Sequence, residues 1–432
     1  MLFKNIGIVD ENFDYVKSMF VETKDDRIVY VSSVRPENYE GEEYDGTGKV
    51  LMPGFVNAHS HSPMTLLRGY AENLPLQRWL NEKVFPFEDR IKGEDAYYSS
   101  MLAIAEMLRY GTVSFSDMYF FSENVAKAVT DSGIKCNFSR AITSFEDTDI
   151  ENQQSFRESE DIVKRFHNAA DGRLKIDMSL HAEYTNRRTI IEQFAEKVRE
   201  RGLRAHIHLS ETKKEHEECK VKYSLTPTQL FYKCGVFDVP TTAAHCVWVE
   251  DGDIELLREK GVTAATCPAS NLKLGSGICD VYKLLKSGVN VAIGTDSVAS
   301  NNNLNMIKEM FLCALLPKGL HNDASVVSER DILKMATVNG YKAQGREDSG
   351  AIKAGRKADL CVLNIESEHM YPQTDMINNL VYAADGADVV LTMADGRVLY
   401  KDGEFTTIDI EKVKSTVNAA ASRIISEVKK NG

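Results

Sequence analysis

Long apolar runs are missing from this chain: no stretch approaches the roughly 18 uncharged apolar residues that a membrane span needs. The N-terminal MLFKNIGIVDENFDY lacks both a basic start and a sustained apolar segment, so no secretory signal is expected. Excess positive charge is also missing. A formal net charge of −12 argues against a nucleic-acid-binding surface, which would be basic. The eight cysteines are widely spaced and contain no CxxC pair. Cys136, Cys246, Cys267 and Cys361 sit in or beside apolar strand-like runs, where a thiol acts as a small buried hydrophobe. This usage points to a reducing, cytoplasmic compartment. No glycine-rich phosphate loop follows the first strand of the central region, which disfavours a doubly wound dinucleotide-binding sheet.

What is present is an ordinary globular composition, 43% hydrophobic and 27% charged, over 432 residues. That length suits a large barrel with an accessory module. Both ends are strand-like and punctuated by turns. FKNIGIVD, DRIVYVSSV and GKVLMPG lie in the first 50 residues; KADLCVLN and ADVVLTMADGRVLYKDGEFTT lie beyond Gly350. The ends are expected to pair into one small β-sandwich module, residues 1–54 with 350–432, around a barrel at 55–349. A helix over about Asp409–Lys430 closes the chain, with Val413, Val417, Ala420, Ile424 and Val428 at helical spacing.

Between the ends, eight apolar runs alternate with helical patterns. MPGFVNAHSH, TVSFSDM, KCNFSRAI, KIDMSLHAEY, RAHIHLSE, TTAAHC, VTAATCP and NVAIGTDS read as strands. SSMLAIAEMLRYG, RTIIEQFAEKVRERG and DIELLREKG read as helices that stop near a glycine. The predicted fold class is therefore α/β, a (β/α)8 barrel.

Histidines and acids mark the ends of several of these strands. His59 and His61 are spaced i, i+2 and so share a strand face. His208 and Glu211 follow strand five, His245 ends strand six, and Asp296 follows strand eight. A barrel gathers strand ends at one mouth, so these groups converge there. Three imidazoles and a carboxylate suit one divalent ion such as Zn2+ with a position open for water. Fe2+ or Mn2+ would fit the same ligands. His206 lies one layer deeper and reads as a core histidine. Glu211 and His245 beside such a site point to proton transfer and metal-assisted hydrolysis.

On these runs, with GTVSFSDMYFF, HIHLSETKKEHEECK, SNLKLGSGI, GTDSVASNNNLNM and GRKADLCVL, the chain resembles the amidohydrolase superfamily. More narrowly it is similar to the 5-methylthioadenosine/S-adenosylhomocysteine deaminases, with chlorohydrolases and guanine deaminases as relatives. The resemblance implies metal ligands at His59, His61, His208 and Asp296, and Glu211, His245 and Asp296 as the catalytic groups. The lysine that bridges two metals in binuclear relatives has no counterpart at the end of strand four, so one ion per chain is expected.

On the substrate side the resemblance implies Trp79 and Glu88, with Glu88 accepting the ribose hydroxyls. It also implies His181 near the purine and Arg140 facing the substrate, where it could grip the carboxylate tail of S-adenosylhomocysteine. Arg140 could instead pair with Asp117 or Glu183. Three departures from the family pattern, Glu183, Ser297 and the CPAS run at 267–270, are expected at the mouth, where they would affect substrate choice. The implied reaction is hydrolytic deamination at C6 of an adenine nucleoside, with a sister reaction on guanine, a pterin or a triazine as the alternative. The expected partner is a small purine nucleoside, with neither nucleic acid nor membrane. A homo-oligomer is left open.

Overall fold

The computed structural model describes residues 1–74 and 76–431. Eight parallel strands follow one another round a closed barrel: β1 (Phe55–Ser60), β2 (Thr112–Met118), β3 (Lys135–Ser139 and Ala141–Ile142), β4 (Leu174–Ile176 and Met178–Leu180), β5 (Ala205–Leu209), β6 (Thr241–His245), β7 (Thr263–Thr266) and β8 (Asn290–Ile293). The pairing runs in sequence order, and a parallel bridge between Ser60 and Asp296 joins the last strand to the first. Parallel neighbours need a crossover, and helices such as Gly93–Arg109, Arg188–Arg201 and Asp251–Glu259 supply it. The last two stop before Gly202 and Gly261, both left-handed.

Two runs that read as single strands are broken. β3 is interrupted at Arg140 and β4 at Asp177. The first half of β4 pairs with the first half of β3, and the second half bridges β3 to β5. The break turns the sheet where it closes, and Asp177 there accepts from Asn137 at 3.1 Å. MPGFVNAHSH also divides. Lys49–Pro53 joins the terminal sheet and Phe55–Ser60 enters the barrel. Gly54 lies at the crossing because a Cβ there would stand 2.5 Å from Val113.

Both chain ends build one nine-stranded sheet, with Lys49–Pro53 paired to Leu360–Asn364 at its centre. Backbone bonds from Ile28 to Arg356 and from Ala358 to Asp26 fold the sheet back over a shared core that includes Phe3, Ile28, Leu360 and Met393. Tyr15–Lys24 is a strand of this sheet that its sequence does not announce, because only Val21 and Thr23 along it are buried. The closing helix, Ile410–Asn431, leaves the sheet. It packs against Gly93–Arg109 and buries Val413, Val417, Ala420 and Ile424.

Alanines are the residues that meet inside the barrel: Ala58, Ala265 and Ala292 form a buried cluster of their own from β1, β7 and β8. Side chains this small let the strand ends approach, so imidazoles on neighbouring strands fall within reach of one point.

Candidate metal centre and cavity

His59, His61 and Asp296 offer donor atoms within 4.8 Å of one another, and so do His59, His208 and His245. The two sets share His59, whose ring is fully buried. The imidazoles are oriented from behind. His61 Nδ1 lies 2.5 Å from the Met118 carbonyl and His208 Nδ1 lies 2.7 Å from the His181 carbonyl. A carbonyl only accepts, so each Nδ1 carries a proton and each Nε2 faces inward. His59 Nδ1 meets His206 Nε2 at 3.0 Å, which gives His206 its role as a core partner. His245 Nδ1 donates to Asn271 Oδ1 at 2.9 Å.

The inward face is electrostatically prepared for a cation. His59 Nε2 is buried without a hydrogen-bond partner, and Asp296 Oδ1 lies 3.5 Å from it and 3.2 Å from His61 Nε2. Burial pushes His59 down to about 3, and His208 well below its usual value. Burial opposes charge on His61 too, but the Asp296 carboxylate outweighs it and holds that ring at about 9. Burial likewise works against the Asp296 anion, and the His59 and His61 rings overcome it. An orphaned buried imidazole nitrogen, the neutral His59 and His208 rings and a firmly ionised carboxylate fit a divalent metal, whose binding would displace the extra proton from His61.

The chain itself is bent to reach this arrangement. Ser210, His245, Cys246 and Asp296 all have left-handed backbone, with φ between 47° and 74°. Each sits at or just past a strand end, and at His245 and Asp296 the side chain reaches the cavity. Asp296 Oδ2 accepts from Ser270 Oγ at 2.5 Å and Ser300 Oγ at 2.9 Å, leaving Oδ1 for the centre.

A cavity of about 420 Å3 opens above these groups. Trp79, Glu88, Arg140 and His181, singled out in the sequence for substrate contact, all line it, together with the catalytic candidates Glu211, His245 and Asp296. Glu211 stands 3.9 Å from His245 Nε2 and is held by Ser276 at 3.4 Å. Burial raises its pKa above the usual carboxylate range. Glu88 accepts from Tyr119 Oη at 2.5 Å, and burial pushes it up to about 7. His181 is pushed down to about 4 by burial and by the neighbouring His61 and His245 rings. Trp79 donates from Nε1 to the Ala71 carbonyl at 3.2 Å, so it is fixed in place.

Three expectations need correction. Arg140 pairs with neither Asp117 nor Glu183: its Nε donates to Glu158 at 2.7 Å, from the helix that follows. Asp117 is instead saturated by Ser60 and Ser62. Among the three departures, only Ser297 lines the cavity. Cys267 is buried in the barrel, and Ser270 of the same run serves Asp296. Glu183 is buried behind the site and hydrogen-bonded to Glu215. Glu215 in turn accepts from the backbone N–H of Glu211 at 2.8 Å. Those backbone donors favour the Glu215 anion, so Glu183 carries the shared proton, its pKa raised first by burial and then by Glu215.

Some of these supporting groups had signals in the sequence. Tyr119 directly follows the end of β2, and Thr212 with Glu215 is a capping box of the TxxE form. Asn271 and Ser276 had none, because they meet their partners from 26 and 65 positions further along the chain, whereas Ser300 stands only four residues past Asp296.

A barrel whose strand ends gather imidazoles, a carboxylate and acid–base groups round one cavity defines a metal-dependent hydrolase scaffold. The amidohydrolase family profile matches residues 50–399, and the chain belongs to that family. It is 44% identical over 383 residues to a 5-methylthioadenosine/S-adenosylhomocysteine deaminase of Dictyoglomus thermophilum, covering 89% of each chain. It is 40% identical over 401 residues to a 5′-deoxyadenosine deaminase of Methanothermobacter thermautotrophicus, covering 93% of each. Among solved structures it is similar to a zinc-bound adenosine deaminase from Xanthomonas campestris, with a TM-score of 0.92, 28% identity and 98% of each chain covered. No helix among the described residues is long and apolar enough to cross a membrane.

Proposed function

We propose that the chain catalyses zinc-dependent hydrolytic deamination at C6 of adenine nucleosides, releasing ammonia. The observation that carries this reading is the convergence of a metal donor set, two proton-handling groups and Glu88 on one cavity. Relatives named as deaminases of methylthioadenosine, S-adenosylhomocysteine and 5′-deoxyadenosine support the substrate class. His59, His61, His208 and Asp296 would hold one zinc ion, within a barrel of residues 55–349 flanked by a module from 1–54 and 350–432. When bound, such an ion lets water ionise near pH 7 rather than about 15.7.

The protein groups handle the protons. Glu211, whose hold on a proton burial strengthens, donates to the ring nitrogen beside C6, so that negative charge can enter the ring as water adds. His245 and Asp296 accept the water's protons. One of these protons is passed to the amino group, the C6–N bond breaks, and ammonia leaves a C6 carbonyl, while the other proton restores Glu211. Glu88 and Trp79 fix the nucleoside, and His181 lies near the purine.

The test is ammonia release by zinc-loaded protein from methylthioadenosine, 5′-deoxyadenosine, adenosine, adenine and guanine. Turnover of the nucleosides with little of the free bases is expected. Turnover of a free base alone would remove Glu88 from substrate binding and return the reaction to a sister amidohydrolase.

A further inference from the structure

We propose that this cavity selects adenine nucleosides with a small uncharged 5′ substituent, and that the Arg140–Glu158 ion pair disfavours an amino-acid tail. The inference rests on the nucleoside reading above and assigns its substrate preference.

Arg140 is the only lysine or arginine among the described residues lining the cavity, which also carries Glu88, Asp89, Glu211 and Asp296. A substrate carboxylate therefore has one permanent cation to meet, and that cation is engaged. Its Nε donates to Glu158 at 2.7 Å, and its Nη1 donates to the Ala141 carbonyl at 2.7 Å.

Glu158 is a fixed partner. Gln154, one turn earlier on the same helix, donates to its other oxygen at 2.8 Å. Ser159, the next residue, donates to the Arg140 carbonyl at 2.9 Å and ties that helix to the break in β3. A carboxylate tail reaching Arg140 would have to share the guanidinium with Glu158 or displace it, against like-charge repulsion. Much of the remaining wall is apolar, including Met64, Leu80, Val84, Phe85, Phe120 and Leu274, with Thr143, Tyr184 and Ser297 among its polar residues. Such a wall accepts a methyl or methylthio group and offers a carboxylate hydroxyl groups but, among the described residues, no second lysine or arginine.

The pair is partly open to solvent, with side chains 22% and 38% exposed, so its effect is moderate. For metal-loaded wild type, kcat/KM for methylthioadenosine and 5′-deoxyadenosine should exceed that for S-adenosylhomocysteine by about tenfold. Glu158→Gln should raise S-adenosylhomocysteine turnover about fivefold through KM, with the neutral substrates within about twofold.

Equal kcat/KM for S-adenosylhomocysteine and methylthioadenosine in the wild type would overturn the proposal. So would an unchanged ratio in a Glu158→Gln protein that melts like the wild type. Where that variant does not fold, the carboxamide of S-adenosylhomocysteine is tested on the wild type. Faster turnover than the free acid supports the proposal, and an equal rate overturns it. Silence on every nucleoside would refute the deaminase reading itself, whereas turnover without preference refutes only this inference.

Discussion

Replacing Glu88 by glutamine should make the protein more stable at alkaline pH and a poorer enzyme. Burial holds the Glu88 carboxyl at about 7 against an ordinary 4.5. Between those values the folded protein binds a proton that the unfolded chain has released. Stability therefore falls as pH rises through the window, and the whole cost is present above pH 7. At about 1.4 kcal/mol per pH unit, and allowing for solvent at the cavity wall, that cost is about 2–3 kcal/mol. Glutamine keeps an acceptor for the Tyr119 hydroxyl and never ionises. For a chain of 432 residues, whose unfolding entropy near Tm is roughly 0.9 kcal/mol/K, the variant should melt about 2–3 °C higher at pH 8. At pH 4 the two should melt together. Loss of the charged acceptor for ribose hydroxyls should lower nucleoside kcat/KM about 10- to 100-fold. Melting curves at half-unit steps from pH 4 to 8 test the linkage. A difference in Tm that stays flat across that range would refute a buried, proton-binding Glu88.

Other perturbations address the centre and its supports. Glu211→Gln should keep its metal while losing about 10²- to 10⁴-fold in turnover, read by metal analysis beside ammonia release; near-normal turnover would exclude Glu211 as the proton carrier. Gly294→Ala would place a Cβ 2.9 Å from the His59 amide nitrogen and 3.0 Å from Cys267 Sγ. It should cost about 1–3 kcal/mol and lower the metal retained after dialysis, and an unchanged metal content would mean that β1 can yield there. Glu183→Ala should leave the Glu215 oxygen unpaired behind Glu211 and lower kcat several-fold with little change in KM. Glu183→Gln, which can donate in place of the shared proton, should restore most of it; equal kcat in all three proteins would make the pair a bystander.

The sequence by itself determined the barrel, because eight apolar runs alternating with capped helices allow few other parallel arrangements. It also marked the candidate donors, since barrel topology brings strand ends together however far apart they are in the chain. Periodicity located the closing helix but not its packing partner, and it gave no sign of the breaks at Arg140 and Asp177. Tertiary structure alone decided who touches whom. It gave Arg140 to Glu158, turned Glu183 away from the cavity and placed Tyr119 on Glu88. A strand pattern records which face a residue occupies, whereas the partner of a buried charge depends on how far each strand has risen and turned when the barrel closes.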